Sequence, residues 1–287
     1  LLGLSELDVE SVEILPGASS ALYGANAFNG IMFMRSKSAF DDQGISVVVK
    51  SGVTSQEAAG DNEYIDAGIR MAHAFSDKFA VKATLSYLKG TEWNAVDYRD
   101  EVNSASTSHL GNPAYNGLNV YGDEVGTTLN WDTLAGTPAG TLGSERVTRT
   151  GYTDNDLMNN VAKSVKFATT LNYRPFGDDR LEVIWNSKFG TGNTVYQGQN
   201  RYNIKNFTLA QHRLEFRGKN FFVRGYMTAE DAGDSYDTRF AAININRAWK
   251  SDAAWFQEYA GAYLGALAPL GVPAMDHAAA RAFADRD

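Results

Sequence analysis

The stretch Lys78-Phe79-Ala80-Val81-Lys82-Ala83-Thr84-Leu85-Ser86-Tyr87-Leu88-Lys89 decides the fold class. Phe79, Val81, Ala83, Leu85 and Tyr87 fall on one parity, and Lys78, Lys82, Thr84 and Ser86 on the other. That period of two gives a strand one apolar and one wet face. The alternation recurs outward from this stretch, in Ile65 to Met71, Phe167 to Tyr173, Leu181 to Phe189 and, more briefly, Ile45 to Val49. Two further stretches are less regular. Leu214 and Phe216 fall out of step with Phe207 and Leu209, and Phe222 and Tyr226 interrupt the polar parity that Arg224 begins. The pattern predicts seven strands and an all-β fold.

The connections sort by length. Ser76-Asp77-Lys78, Gly177-Asp178-Asp179 and Gly218-Lys219-Asn220 have the residues of tight hairpin turns. Residues 54–62, 90–164 and 190–205, and everything after Glu230, read as long connections. Short turns at one end and long loops at the other is the layout of an outer-membrane β-barrel, and a soluble sandwich has no reason to sort its loops this way. A loop as long as 90–164 suits a compact domain only if it carries function. Phe75, Phe79, Tyr173, Phe176, Phe216 and Phe221, all near the short turns, fit an interfacial aromatic girdle.

Composition is compatible with this reading. The 287 residues carry 26 Lys plus Arg against 34 Asp plus Glu, a formal charge of −8. With a pI near 5.1 and no basic run, nothing favours a nucleic-acid partner held through its phosphates. The absence of cysteine rules out a disulfide framework, a thiol nucleophile and thiolate metal sites. Mean hydropathy is −0.32, and no apolar run approaches the ~20 residues of a transmembrane helix, but alternating strands cross a bilayer with just such an average. The chain begins at Leu1 without a basic, apolar leader and stops at Asp287 within a helical pattern, so it reads as a piece of a longer protein.

Ahead of the strands, Asp8 to Lys37 reads as strand, Pro16-Gly17 turn, short helical turn, Asn29-Gly30 break and second strand, too little to bury its own apolar residues. Its run Val12-Glu13-Ile14-Leu15-Pro16-Gly17-Ala18-Ser19-Ser20-Ala21-Leu22-Tyr23-Gly24, followed by Ala25-Asn26-Ala27-Phe28-Asn29-Gly30-Ile31, resembles the end of the plug domain of TonB-dependent outer-membrane receptors, in the Bacteroidota-type branch with SusC-like transporters. Pro16 stands where the family usually carries Lys or Arg. The resemblance implies that residues 1–40 are the C-terminal part of a plug. Residues 41–230 would then be the first seven or so strands of a transmembrane antiparallel barrel of about 22, and residues 231–287 a helical part of an extracellular loop. It further implies an outer-membrane receptor that binds and imports a scarce nutrient, such as a siderophore, cofactor or oligosaccharide, without covalent chemistry or a resident cofactor. The partners implied are the TonB-ExbB-ExbD complex, acting through an N-terminal box absent here, and a SusD-like surface lipoprotein. It gives Glu10 and Glu13 a plug-barrel docking role, and Gly17, Tyr23, Gly24, Asn29 and Gly30 structural roles in the motif.

Other candidates weigh less. Trp93, Tyr98, Tyr115, Tyr121 and Trp131 are interleaved with Asn and Asp in the longest loop, which suits a sugar or a siderophore, and Trp93, Tyr98 and Trp131 are the ligand candidates. His73, His109, His212 and His277 are scattered, so local spacing gives no metal site. Asp231, Asp234 and Asp237, like Asp154 and Asp156, are oxygen-rich loops without the full EF-hand spacing. No catalytic constellation is found. The alternative from another class is a secreted soluble all-β carbohydrate-binding module, which requires a second sheet over the apolar face.

Overall fold

A computed structural model describes residues 3–17, 29–266, 269, 271 and 273–286. The seven expected strands all form, as β3 (Gly44–Gln56), β4 (Gly60–Ser76), β5 (Phe79–Thr91), β10 (Val161–Tyr173), β11 (Glu182–Gln197), β12 (Arg201–Arg217) and β13 (Phe222–Asp231). They lie side by side in chain order in one sheet, each antiparallel to its neighbour. A short β14 (Tyr236–Asp237) pairs with the start of β12 off this path. With 49% strand against 17% helix the chain is mostly antiparallel β, and the described residues do not close into a barrel.

Register carries the alternation across the whole sheet. Val47 pairs with Ile69, Ile69 with Leu85, Leu85 with Phe167 and Phe167 with Phe189, so one face presents an unbroken apolar band. Much of that band is solvent-exposed, Val47 to 63%. The opposite parity carries Arg70, Lys82, Thr84, Thr170 and Asn172, all buried. The sheet is thus greasy outside and polar inside, the inverse of a water-soluble sheet. The out-of-step Phe207 and Leu209 share the polar parity with Gln211 and Arg213, with Leu209 opposite the side-chain-free Gly190. In β13 every residue is exposed, as an edge strand's can be, so Phe222 and Tyr226 break no packed face.

Two connections expected to be long are short. β3 and β4 are joined by residues 57–59 and β11 and β12 by 198–200, because pairing continues well past the apolar stretches. In those extensions isolated apolar residues such as Val53, Val195 and Ile204 stand among polar ones, so no regular alternation shows while backbone hydrogen bonds persist. A register shift near Asn193 is accommodated by Asn206 in the left-handed region (φ +55°), whose N–H donates to the Asn193 side chain at 2.8 Å.

The remaining long connection, 92–160, joins the segment after β13 in a second lobe. It contains β6 (Val120–Tyr121) paired with β9 (Tyr152–Thr153), and β7 (Gly126–Asn130) paired with β8 (Ser144–Thr148). Its helices are α1 (Trp131–Ala135), α2 (Asp154–Leu157), α3 (Thr238–Trp249), α4 (Asp252–Tyr263) and α5 (His277–Ala284). Side chains of Asn130, Asp237, Ser251 and Asp276 cap α1, α3, α4 and α5 by accepting from first-turn N–H groups. Trp131 and Val147 from the long loop pack against Trp255, Tyr259 and Tyr263 of α4 and Ala280 of α5. The boundary expected at residue 230 therefore runs between two pieces that share one core.

Candidate functional site

An N-terminal hairpin, β1 (Val9–Pro16) with β2 (Gly30–Ser36), follows a 3-10 turn at Glu6–Asp8. Gly17 (φ +94°) continues the chain beyond β1, and its N–H donates to the Asn29 carbonyl at 3.2 Å. At Gly30, φ is +152°, and a Cβ would lie 2.9 Å from the Leu15 carbonyl oxygen. Tyr23 and Gly24 lie outside the described residues.

The hairpin is tied to the sheet's polar face through Asp8. Arg70 Nε of β4 donates to Asp8 Oδ1 at 2.8 Å, and Lys82 Nζ of β5 donates to both carboxylate oxygens at 3.0 and 2.9 Å. All three side chains are buried. Lys82 also donates to the carbonyl of Lys37, and Lys37 N–H donates to the Asp8 carbonyl at 2.9 Å, so one lysine holds the first leg of the hairpin and the chain leaving its second. Charge-assisted bonds of this kind resist breaking singly because each partner would be left charged and dry.

The carboxylates expected to dock lie elsewhere. Glu13 pairs with Arg35 of its own hairpin at 3.2 Å in an exposed position, and Glu10 is the exposed residue at the bulge between Val9 and Ser11. Among the described contacts it is Asp8 that joins the hairpin to the sheet. Its partners lie on the polar parity of two adjacent strands, where Arg70 faces Thr84 and Lys82 faces Ala72, so the pairing of those strands contains half of the signal.

The three aromatic candidates have separate fates. Trp131 is 2% exposed and stacks on Tyr263 with ring centroids 4.3 Å apart, so it is core rather than contact surface. Tyr98 is half-buried, and its carbonyl accepts from the Tyr115 hydroxyl at 2.6 Å. Trp93 is 51% exposed. The buried Arg201 guanidinium lies 4.3 Å from its ring centroid and donates to its carbonyl at 2.8 Å. Arg201 is neutralised by Asp154 at 2.7 Å, a buried pair that ties β12 to α2 and so fixes the lobe to the end of the sheet where β11 turns into β12.

Carboxylates considered for calcium have structural duties. Asp237 caps α3, Asp156 closes a capping box at α2 and Asp234 accepts from Asn206 at 2.7 Å. Among the described residues no group of three metal-ligating side chains converges. Within the lobe, burial raises the Asp123 carboxyl to about 7, with Glu124 adding to the effect. Burial, helped by Arg281, lowers His109 to about 3. His109 Nε2 meets the Thr148 hydroxyl at 3.1 Å, and Arg281 donates to the Thr148 carbonyl at 2.9 Å, so both belong to the packing around β8.

No protein-family model, curated protein or solved structure matches the chain.

Proposed function

We propose that this chain forms part of the wall and the docked plug end of a TonB-dependent active transport receptor of the Gram-negative outer membrane. The observation that carries this is the inverted sheet: an exposed apolar face over seven strands, and a buried polar face to which the N-terminal hairpin is tied by Asp8. On β4 the apolar parity runs from Ile65 to Phe75, interrupted by His73. At ~3.4 Å per residue and a ~45° tilt that makes a band of ~24 Å, the height of an outer-membrane barrel's lipid belt. Both edge strands, β3 and β13, lack an outer neighbour among the described residues, as wall strands of a larger barrel would. In this reading the second lobe is the extracellular cap and Trp93 its candidate ligand contact. The TonB-ExbB-ExbD complex supplies the pull, and the cargo is a scarce nutrient. A soluble carbohydrate-binding module would need a cover over the apolar face, and among the described residues no second sheet lies there.

The native chain has no cysteine, which makes the test direct. In lipid vesicles, fluorophores placed through Val47→Cys, Leu85→Cys and Phe167→Cys should be quenched by brominated lipid. Those placed through Ser86→Cys and Lys166→Cys, on the other parity, should be spared. Equal quenching on both parities, or no partition into the bilayer, overturns the reading.

A further inference from the structure

Between the N-terminal hairpin and the polar face lies a cavity of about 340 Å³, in the size range of small-molecule sites. Met32 and Met34 of β2 line one side, and Lys82, Lys188, Gln211 and Arg213 line the other. Three cationic side chains thus meet one lining carboxylate, Asp8, whose oxygens are already engaged by Arg70 and Lys82. The other two cations are left over. Lys188 is half-buried and makes no hydrogen bond or ion pair with a described residue. Arg213 has a buried Nε without a partner and reaches Glu215 only at 3.8 Å, whereas Arg224 holds Glu215 at 2.8 Å.

Register brings these leftover donors together. Lys188 pairs with Gln211 and Asn186 with Arg213 on adjacent strands, so Lys188 and Arg213 are diagonal neighbours on one face with the Gln211 amide beside them. Two neighbouring cations in a partly dehydrated cavity repel each other, and a buried guanidinium N–H without an acceptor carries a desolvation cost. Both terms are relieved by one ligand, an anion whose oxygens accept from several donors at once.

We propose that the cavity is an oxyanion-binding site, taking the phosphate or carboxylate of a small molecule between Lys188, Arg213 and Gln211. The site lies toward the end of the sheet where β4 turns into β5 and β12 into β13, Lys82 three positions into β5 and Arg213 four before the end of β12, whereas the lobe carrying Trp93 is at the opposite end. It is therefore a second place for a ligand, distinct from anything held by the lobe, and it does not depend on the transport reading. Ser5 and Ser36 line the same cavity from the hairpin side, so an occupying oxyanion would also bridge wall and hairpin beside the Asp8 contact.

Calorimetric titration of the chain in non-ionic detergent, at constant ionic strength set with chloride, tests this with inorganic phosphate in one arm and succinate in another. At least one anion should bind saturably. Lys188→Met and Arg213→Gln should each weaken it about tenfold or more, the effect of losing one charged hydrogen bond. Lys205→Gln, an exposed cation elsewhere on β12, should leave affinity unchanged. The stronger arm identifies the ligand as phosphate- or carboxylate-bearing. Should Arg213→Gln fail to fold, Lys188→Met and Gln211→Leu carry the test. Absence of saturable binding in both arms, or affinity unmoved by the substitutions, overturns the site. Because the titration requires neither bilayer insertion nor transport, its failure would leave the outer-membrane reading intact.

Discussion

The sheet and the lobe at its end are built from the same residue types arranged in opposite senses. In the lobe, Trp131, Val147, Trp255 and Tyr259 form an apolar core, and a buried charge such as Arg149 is paired, with Asp252 at 2.7 Å. In the sheet, Ile45, Val47 and Val49 are outside, and Arg70, Lys82 and Glu215 are inside. The hydrophobic effect builds the lobe in water, whereas a sheet with its greasy face out needs an apolar solvent or a partner over that face. One chain is thus matched to two surroundings, with the Arg201–Asp154 pair at the junction.

Removal of the Asp8 carboxylate should give the largest effect. Asp8→Ala leaves Arg70 and Lys82 buried without a counter-charge, at a cost of about 3–5 kcal/mol. It should free the hairpin, read as faster amide exchange and proteolysis in residues 9–36 with the lobe unchanged. Glu13→Ala, which removes only an exposed pair, should shift the same readouts by less than ~1 kcal/mol. Equal effects from the two would remove Asp8 from its special place.

A second experiment applies one substitution in both regions. Val147 is 0% exposed and Val47 is 63% exposed. Val147→Ala should destabilise the lobe by about 2 kcal/mol through lost burial and the cavity left behind. Val47→Ala should stay within about 0.5 kcal/mol in chemical denaturation from detergent. Similar losses at both sites would mean that Val47 is covered and the inversion is wrong.

In the native lobe two opposed pH dependences offset each other, so the net effect there is small. Asp123 has its folded pKa raised to about 7, so the folded state binds a proton that the unfolded state releases. Between about pH 4 and 7 this group therefore makes stability fall as pH rises. His109, lowered to about 3, acts in the other direction: its contribution is full above the unfolded value near 6.5 and is lost as pH falls. Asp123→Asn should leave a lobe whose melting temperature rises with pH across this range, and His109→Gln one whose melting temperature falls. Melting profiles by near-ultraviolet circular dichroism check both, and superimposable profiles would count against both assignments.

Strand existence was legible because a period of two survives in any strand with one wet face, as Phe79 to Tyr87 shows. Strand ends were not. From Asn193 to Gln197 and from Arg201 to Asn206 the apolar residues, Val195 and Ile204 among them, are too few to show a period, and backbone pairing defines the ladder. Trp131 is buried by helices more than a hundred positions later, which a loop's own residues do not reveal. Asp8 escaped for the same reason, its partners being 62 and 74 residues away. Glu10 and Glu13 lie closer to the motif, but proximity in sequence says little about which carboxylate reaches the sheet.

The Asp8 contact also has a mechanical meaning. In the hairpin, Val9 faces Ser36 at the open end, so tension between Gly3 and Lys37 would peel the rungs apart one at a time, the loading direction in which a β-ladder is weakest. The load path, however, passes through Asp8 before it reaches Val9. Arg70 and Lys82 hold the Asp8 carboxylate, Lys37 N–H donates to the Asp8 carbonyl, and Lys82 grips the Lys37 carbonyl on the other leg, so these bonds take the load ahead of the Val9–Ser36 rung. The hairpin therefore behaves as a zipper with a clasp: rigid under small pulls, then opening along its whole length once the clasp yields.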